Sequence, residues 1–282
     1  IGLPGHVKKS AVNKQIKISA TLNGVGSGAT SGNAAKFGID SIGNVVARGA
    51  LSNISATISG TPNGNELIVR KGKPVVTLNA LPTTTLSNTT VTLAKFTVLA
   101  SGGDIAIKKM QFGTLVISGT TPAITGAVTI YDMANSGTAL TATITDGAAN
   151  APGNTTGFAN TEDIIIVFGT MQEIAAGQSK TYEVKATVSG SATAGDTIQT
   201  RFAALDVDED ALAENVTEFV IDDTLTEGSV LSSAIGTITS RDDSVFIWSD
   251  KSAATTTPTT GASSTDWTNG YALNLPTDYQ SL

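Results

Sequence analysis

The chain has 282 residues, 40% of them hydrophobic, 15% charged and 5% aromatic, and it contains no cysteine. That excludes a disulfide framework, a thiolate metal site and a cysteine nucleophile together, and the shortage of Glu, Lys and Arg disfavours solvated helices while the short Val, Ile and Thr runs suit pleated strands. Residues 1–120 carry 12 Lys and Arg against 3 Asp and Glu, and residues 121–282 carry 5 against 21, so a basic half precedes an acidic one.

In chain order, residues 1–14 read as an extended tail. They begin at Ile1 without an initiator Met or a basic and apolar leader, which suggests a processed or truncated product. From Gln15 to Leu22, Ile16, Ile18, Ala20 and Leu22 alternate with Lys17, Ser19 and Thr21, which predicts a half-buried strand. The same period of two predicts strands over Pro74 to Leu81, Thr90 to Leu99, Asp104 to Phe112, Thr114 to Ser118, Ala127 to Tyr131 and Leu140 to Thr145. It continues over Asp163 to Phe168, Lys180 to Ser189, Thr197 to Ala204, Val230 to Ser240 and Ser244 to Trp248. Turn signals such as Gly102-Gly103, Asp146-Gly147 and Pro152-Gly153-Asn154 separate them at the spacing of a sandwich. Only Met171 to Ala176 and Asp208 to Ala213 suggest a helical turn. Residues 252–265, rich in Thr, Ser and Ala, read as an exposed loop. No apolar run approaches the roughly 18 residues of a membrane-spanning helix, so no membrane insertion is expected.

A shift of 59 residues aligns Ala35-Lys36-Phe37 with Ala94-Lys95-Phe96 and Ile58-Ser59-Gly60-Thr61 with Ile117-Ser118-Gly119-Thr120. Gly43 and Ala47 also match Gly102 and Ala106, giving 9 identities over 27 positions. Such self-similarity suggests a duplicated sandwich half. Strands continue long after Thr120, whereas after Thr61 only Pro62 to Lys73 remain before the next unit. The expected organisation is therefore all-β, in tandem sandwiches: an incomplete unit over residues 15–73 and a larger one over residues 74–282. An incomplete sandwich exposes an edge that templates another strand. The missing strands would come from another subunit, with the tail 1–14 as a donor strand, or from the second half of the same chain.

The stretch from Pro74 to about Ala204 resembles the immunoglobulin-like β-sandwich modules of bacterial surface-layer, adhesin and filament-type proteins. The resemblance lies in Ala94-Lys95-Phe96-Thr97-Val98, Gly103-Asp104-Ile105-Ala106-Ile107, Val128-Thr129-Ile130-Tyr131-Asp132 and the phrase Ile174 to Tyr182, a polar turn leading into an edge strand. Phe246 to Ala253 and Thr265 to Tyr271 resemble the C-terminal phrase of large surface proteins from uncultivated bacterial lineages with small genomes. The resemblance implies an extracellular or cell-surface location and brings no catalytic residues.

Catalytic chemistry finds little purchase. A Ser-His-Asp triad needs a rigidly held histidine, and the single His6 lies in a Gly/Pro-flanked tail. Paired-carboxylate hydrolysis needs two acids across an aromatic-lined cleft, whereas the acids here cluster in turns. The best metal candidate is Asp206, Asp208 and Asp210, with Glu214 nearby, as hard oxygen ligands for Ca²⁺. It departs from an EF-hand loop, with Ala211 at the sixth position and Thr217 at the twelfth. Sequons begin at Asn53, Asn88, Asn154 and Asn215. Trp248 and Trp267 suit a core or a sugar-stacking pair, burial being the commoner fate of large aromatics. Nucleic acid is not an expected partner, because the lysines are scattered and lack an aromatic platform.

Two functions stand open: a structural subunit of a filament, pilus-like fibre or surface layer, or an adhesin or carbohydrate-binding module of a larger surface protein recognising a cell-surface glycan. No enzyme is expected. For the first, the expected assembly residues are Ile16, Ile18 and Leu22 on the strand and Lys8 and Lys9 in the basic tail, joining copies into a homo-oligomer or polymer by strand addition and complementary charge.

Overall fold

Most of the alternating Val, Ile and Thr segments that are described fold as strands. In a computed structural model, described here for residues 19–39, 41–49, 51–60, 63–117, 123–124, 127–145, 161–189, 196–202, 246–253, 266–269, 274–275 and 277–282, the regular structure is β with two single 3₁₀ turns. The chain divides into two units, Ile1–Val69 and Arg70–Leu282.

Unit 1 contains β1 (Ala34–Gly38) and β2 (Asn63–Ile68), paired antiparallel with Ala35 opposite Leu67 and Lys36 opposite Glu66. A bulge between Lys36 and Gly38 ends the regular ladder. Ser31 is the one buried residue among those described in this unit. No strand was predicted at β1 or β2, whose Asn, Gly and Lys content masks the period of two. In the opposite direction, the strand predicted over Gln15 to Leu22 is not found where it is described: Ser19 to Leu22 lie outside any strand and are exposed. Pairing supplies what alternation cannot, and these four residues have no ladder partner.

Unit 2 runs β3 (Lys73–Leu78), β4 (Thr90–Ser101), β5 (Ile105–Ile117), β6 (Ala123–Ile124), β7 (Thr129–Asp132), β8 (Ala142–Thr145), β9 (Thr161–Ile174), β10 (Ser179–Ser189), β11 (Thr197–Phe202), β12 (Phe246–Ser249), β13 (Trp267–Asn269) and β14 (Gln280–Ser281). One sheet is ordered β3-β4-β10, with β7 and β6 following one another along the far edge of β10. In the other, β5 carries β9 along one edge and β12 and β11 along the other, with β8, β13 and β14 outermost. All these pairings are antiparallel.

The inner faces meet in an aromatic cluster. Phe96 of β4 lies 5.4 Å from Phe112 of β5 and 4.9 Å from Phe202 of β11, ring centre to ring centre, and 5.6 Å from Tyr182 of β10. Phe112 and Phe202 stack at 4.7 Å, and Phe246 of β12 meets Phe202 edge-on at 5.4 Å. All five are buried, and such contacts add to the transfer free energy of large rings. Val76, Val98, Ile107, Met110, Ile166, Val184 and Trp248 extend the same core. Unit 2 is thus an all-β sandwich, as composition and periodicity require.

Three local expectations need correction. The two strands predicted over Asp104 to Phe112 and Thr114 to Ser118 are, where described, the single strand β5, because Gly113 keeps its place in the ladders with Asp163 and Arg201. Met171 to Ala176 is no helical turn: β9 runs to Ile174, and the chain turns at Ala176 and Gly177. A long β5 edge recruits these residues before a local turn can form. The strand entered from this turn, β10, is not an edge but lies between β4 and the β7 and β6 pair. Its inner face is apolar enough for this position, with Tyr182, Val184, Ala186 and Val188 all buried.

Candidate functional site

The open edge of unit 1 is the first candidate. Val69 donates its N–H to the Asn33 carbonyl at 2.9 Å, and Gly32 donates to the Val69 carbonyl at 2.9 Å. Successive peptide groups of a strand point to opposite edges. With Asn33 and Ala35 turned toward β2, the N–H and C=O groups of Ala34 and Lys36 point the other way, where no strand among the described residues pairs with them. The face shared by Ala35, Phe37 and Leu67 is apolar and open: Phe37 is 41% exposed and Leu67 51%. Val46, Leu51 and Ile54 of the same unit are also exposed.

Unit 2 treats its own edge differently. On β3, Pro74 has no N–H to offer outward, and the outward carbonyl of Val76 accepts from Asn274 Nδ2 at 2.9 Å. Where β3 and β4 end their ladder, the Gln280 carboxamide takes the place of a peptide group: Oε1 accepts from the Lys95 N–H at 2.8 Å and Nε2 donates to the Asn79 carbonyl at 2.6 Å. Gln280 belongs to β14 of the other sheet, so one side chain ties both sheets together.

A buried polar cluster secures the start of unit 2. Ser249, Asp250 and Asp266 are wholly buried. Asp250 Oδ2 accepts from the Lys71 N–H at 2.8 Å, and Oδ1 accepts from the Ser252 hydroxyl at 2.6 Å and its N–H at 3.2 Å. Ser249 Oγ donates to Asp266 Oδ2 at 2.6 Å. Burial pushes the Asp266 carboxyl above the ordinary aspartate range, and the Asp250 charge adds to this, while the Ser249 hydrogen bond and the Arg70 charge oppose it. Close passage of backbones completes the arrangement: a Cβ on Gly72 would lie 2.6 Å from the Gly103 carbonyl oxygen. The described residues hold no group of three or more His, Cys, Asp or Glu placed to bind a metal.

On the outer face of the β4 and β10 sheet, Glu183 sits between Lys95 and Lys185, each Nζ 2.9 Å from a carboxylate oxygen, and Lys185 also lies 4.9 Å from the Tyr131 ring centre. Burial works to raise the Glu183 carboxyl, but hydrogen bonds from both lysines and their charges outweigh it and hold the group below the usual glutamate range. The lysines answer a buried acid rather than project toward solvent. Thr97 and Thr181 hydroxyls, 2.8 Å apart, continue the cross-strand row.

Of the residues singled out in the sequence, Lys8, Lys9, Ile16, Ile18, Asp206, Asp208 and Asp210 lie outside the described residues, as do the tail 1–14, the segments Asp208 to Ala213 and Val230 to Ser240, and residues 254–265. Leu22 is 42% exposed. Trp248 and Trp267 are both buried, so neither offers a stacking surface to a sugar. Asn274, Gln280 and Asp250 were missed. For Asp250 the signal was present in Asp250-Lys251-Ser252, a local turn in which the carboxylate meets the N–H two residues on; Gln280 carried none, its partners being about 185 and 201 residues away.

No protein-family model matches the chain, and no curated protein matches it. Among solved structures, the collagen-binding domain from a Staphylococcus aureus adhesin aligns with 46% of this chain and 83% of its own, at 12% identity and a TM-score of 0.21. A superposition this loose transfers neither ligand nor mechanism.

Proposed function

We propose that the chain is a structural subunit of an extracellular, cell-surface assembly, a filament, fibre or layer, in which copies join by strand addition at unit 1 and by complementary charge. The observation that carries it is the open edge of β1 beside an exposed Phe37 and Leu67, in a molecule that blunts the corresponding edge of β3 with Pro74 and Asn274. An unpaired edge gains main-chain hydrogen bonds from an incoming strand, and apolar side chains along it gain burial. Charge favours head-to-tail contact: residues 1–69 carry 6 Lys and Arg against 2 Asp and Glu, and residues 70–282 carry 11 against 22. A heterologous contact of that kind closes into rings or runs on into filaments.

The role is mechanical rather than catalytic. Sedimentation and negative-stain microscopy of the purified chain test it directly. Ordered polymers that grow with concentration and shrink with added salt are expected, and a strictly monomeric species at high concentration and low salt contradicts the proposal.

A further inference from the structure

The 59-residue repeat bears on which strand would suit the open edge of β1. Under the 59-residue repeat, β1 corresponds to the middle of β4, with Phe37 at the position of Phe96. β4 has two neighbours: Phe96 and Val98 of β4 turn their peptide groups toward β10, and Lys95 turns its carbonyl to Asn79 beside β3. Because Ala35 and Phe37 correspond to Ala94 and Phe96, β2 occupies the β10 side of β1, and the edge that no described strand pairs with is the β3 side.

The repeat sets residues 14–19 against β3, but with the wrong face inward. In β3, Val76 is fully buried and Leu78 packs against the core, while Val75 and Thr77 point outward. The matching residues are Lys17 and Ser19 at the inward positions and Ile16 and Ile18 at the outward ones. Pairing within the chain in this register would set Lys17 on the apolar face of Phe37 and turn the isoleucines away. A slip of one residue reverses every side chain. The intervening chain is taken up by turns, Ser27 N–H to the Gly24 carbonyl at 2.9 Å and Asn33 N–H to the Thr30 carbonyl at 3.1 Å, and Ser19 to Leu22 make no ladder with β1.

We infer that the segment Gln15 to Leu22 of a second copy adds antiparallel to the free edge of β1, with Ile16, Ile18, Ala20 and Leu22 on the face of Ala35, Phe37 and Leu67. This rests on the strand-addition function proposed above and names its donor. A strand from another copy is not bound to the register of the repeat, so its apolar face can join Phe37 and Leu67, and its backbone meets the outward groups of Ala34 and Lys36. Leu22, 42% exposed in its own chain, gains a partner surface.

The absence of native cysteine makes the register testable by cross-linking. At the free edge Ala35 is a non-hydrogen-bonded position, where opposed Cα atoms come within about 4.5 Å, close enough for a disulfide. An Ala35→Cys chain is mixed with a tagged chain carrying Ile18→Cys, Ser19→Cys or Ala20→Cys, oxidised mildly and run on a non-reducing gel. The expected result is a heterodimer with Ile18→Cys and Ala20→Cys at least several-fold above that with Ser19→Cys, and the reverse preference when Lys36→Cys replaces Ala35→Cys. Circular dichroism of each single variant establishes that it folds. Equal or inverted preference, or no cross-link in samples that sediment as polymers, overturns the donor assignment and leaves strand addition standing. Absence of both cross-link and polymer overturns strand addition as well.

Discussion

The block Ala-Lys-Phe occurs twice in this chain and meets two fates. In β4 it lies between β3 and β10, and Phe96 is wholly buried among Phe112, Tyr182 and Phe202; in β1 it has one neighbour among the described residues, β2, and Phe37 is 41% exposed. Three residues of identical sequence therefore specify a strand but not a core. What differs is the number of neighbours, and neighbours come from elsewhere in the chain or from another chain.

Substitution of the two phenylalanines breaks the comparison most sharply. Phe96→Ala is expected to destabilise unit 2 by about 3–5 kcal/mol in denaturant unfolding, the cost of a large cavity in a packed core. Phe37→Ala is expected to change the stability of the dilute chain by no more than ~0.5 kcal/mol, as exposed substitutions do. Under the proposed strand addition it is expected to lower polymer yield instead. Equal stability losses would show that unit 1 has a core of its own.

The edge caps come next. Asp250→Ala leaves the Lys71 N–H and the Ser252 groups without their acceptor and is expected to cost about 2–3 kcal/mol, since each buried donor so stranded costs of order 1–3 kcal/mol. Gln280→Ala frees one donor and one acceptor where β3 meets β4, with an expected loss of about 1–2 kcal/mol. Hydrogen exchange then shows whether the loss is local to residues 76–79 and 95, as the geometry requires, or spread over the sheet.

Smaller effects follow from pH. Glu183 has a folded carboxyl below its unfolded value, so its stabilisation is present above the ordinary glutamate range and is lost as pH falls through the folded value. Asp266 is raised, so it binds its proton more readily when folded, and its contribution declines as pH climbs from the unfolded value through the folded one. Glu183→Gln should flatten the acid limb of a stability profile, and Asp266→Asn should remove the decline above it. Profiles identical to the parent for both variants would contradict these assignments.

Much of unit 2 was legible because its strands alternate cleanly and each apolar face found a partner, as with Val76, Val98 and Val184. The continuity of β5 through Gly113 and the extension of β9 to Ile174 were not, since both depend on a neighbouring edge rather than on local pattern. Gln15 to Leu22 shows the converse. Its alternation is as good as that of β4, yet Ser19 to Leu22 form no strand, because a period of two states which face would be buried without supplying the surface that buries it. The caps were invisible for a related reason: Asn274 and Gln280 act on residues nearly 200 positions away, where spacing carries no information.

The central claim is that β1 is an acceptor that a second copy completes, while β4 is complete already. Amide hydrogen exchange followed by mass spectrometry, on the same protein dilute and assembled, tests it most directly. The account predicts fast exchange at Ala34 and Lys36 in dilute protein, marked slowing on assembly, and strong protection across Ala94 to Ala100 in both. Protection of Ala34 and Lys36 that is already present in the dilute chain, or that does not change when polymers form, would contradict it.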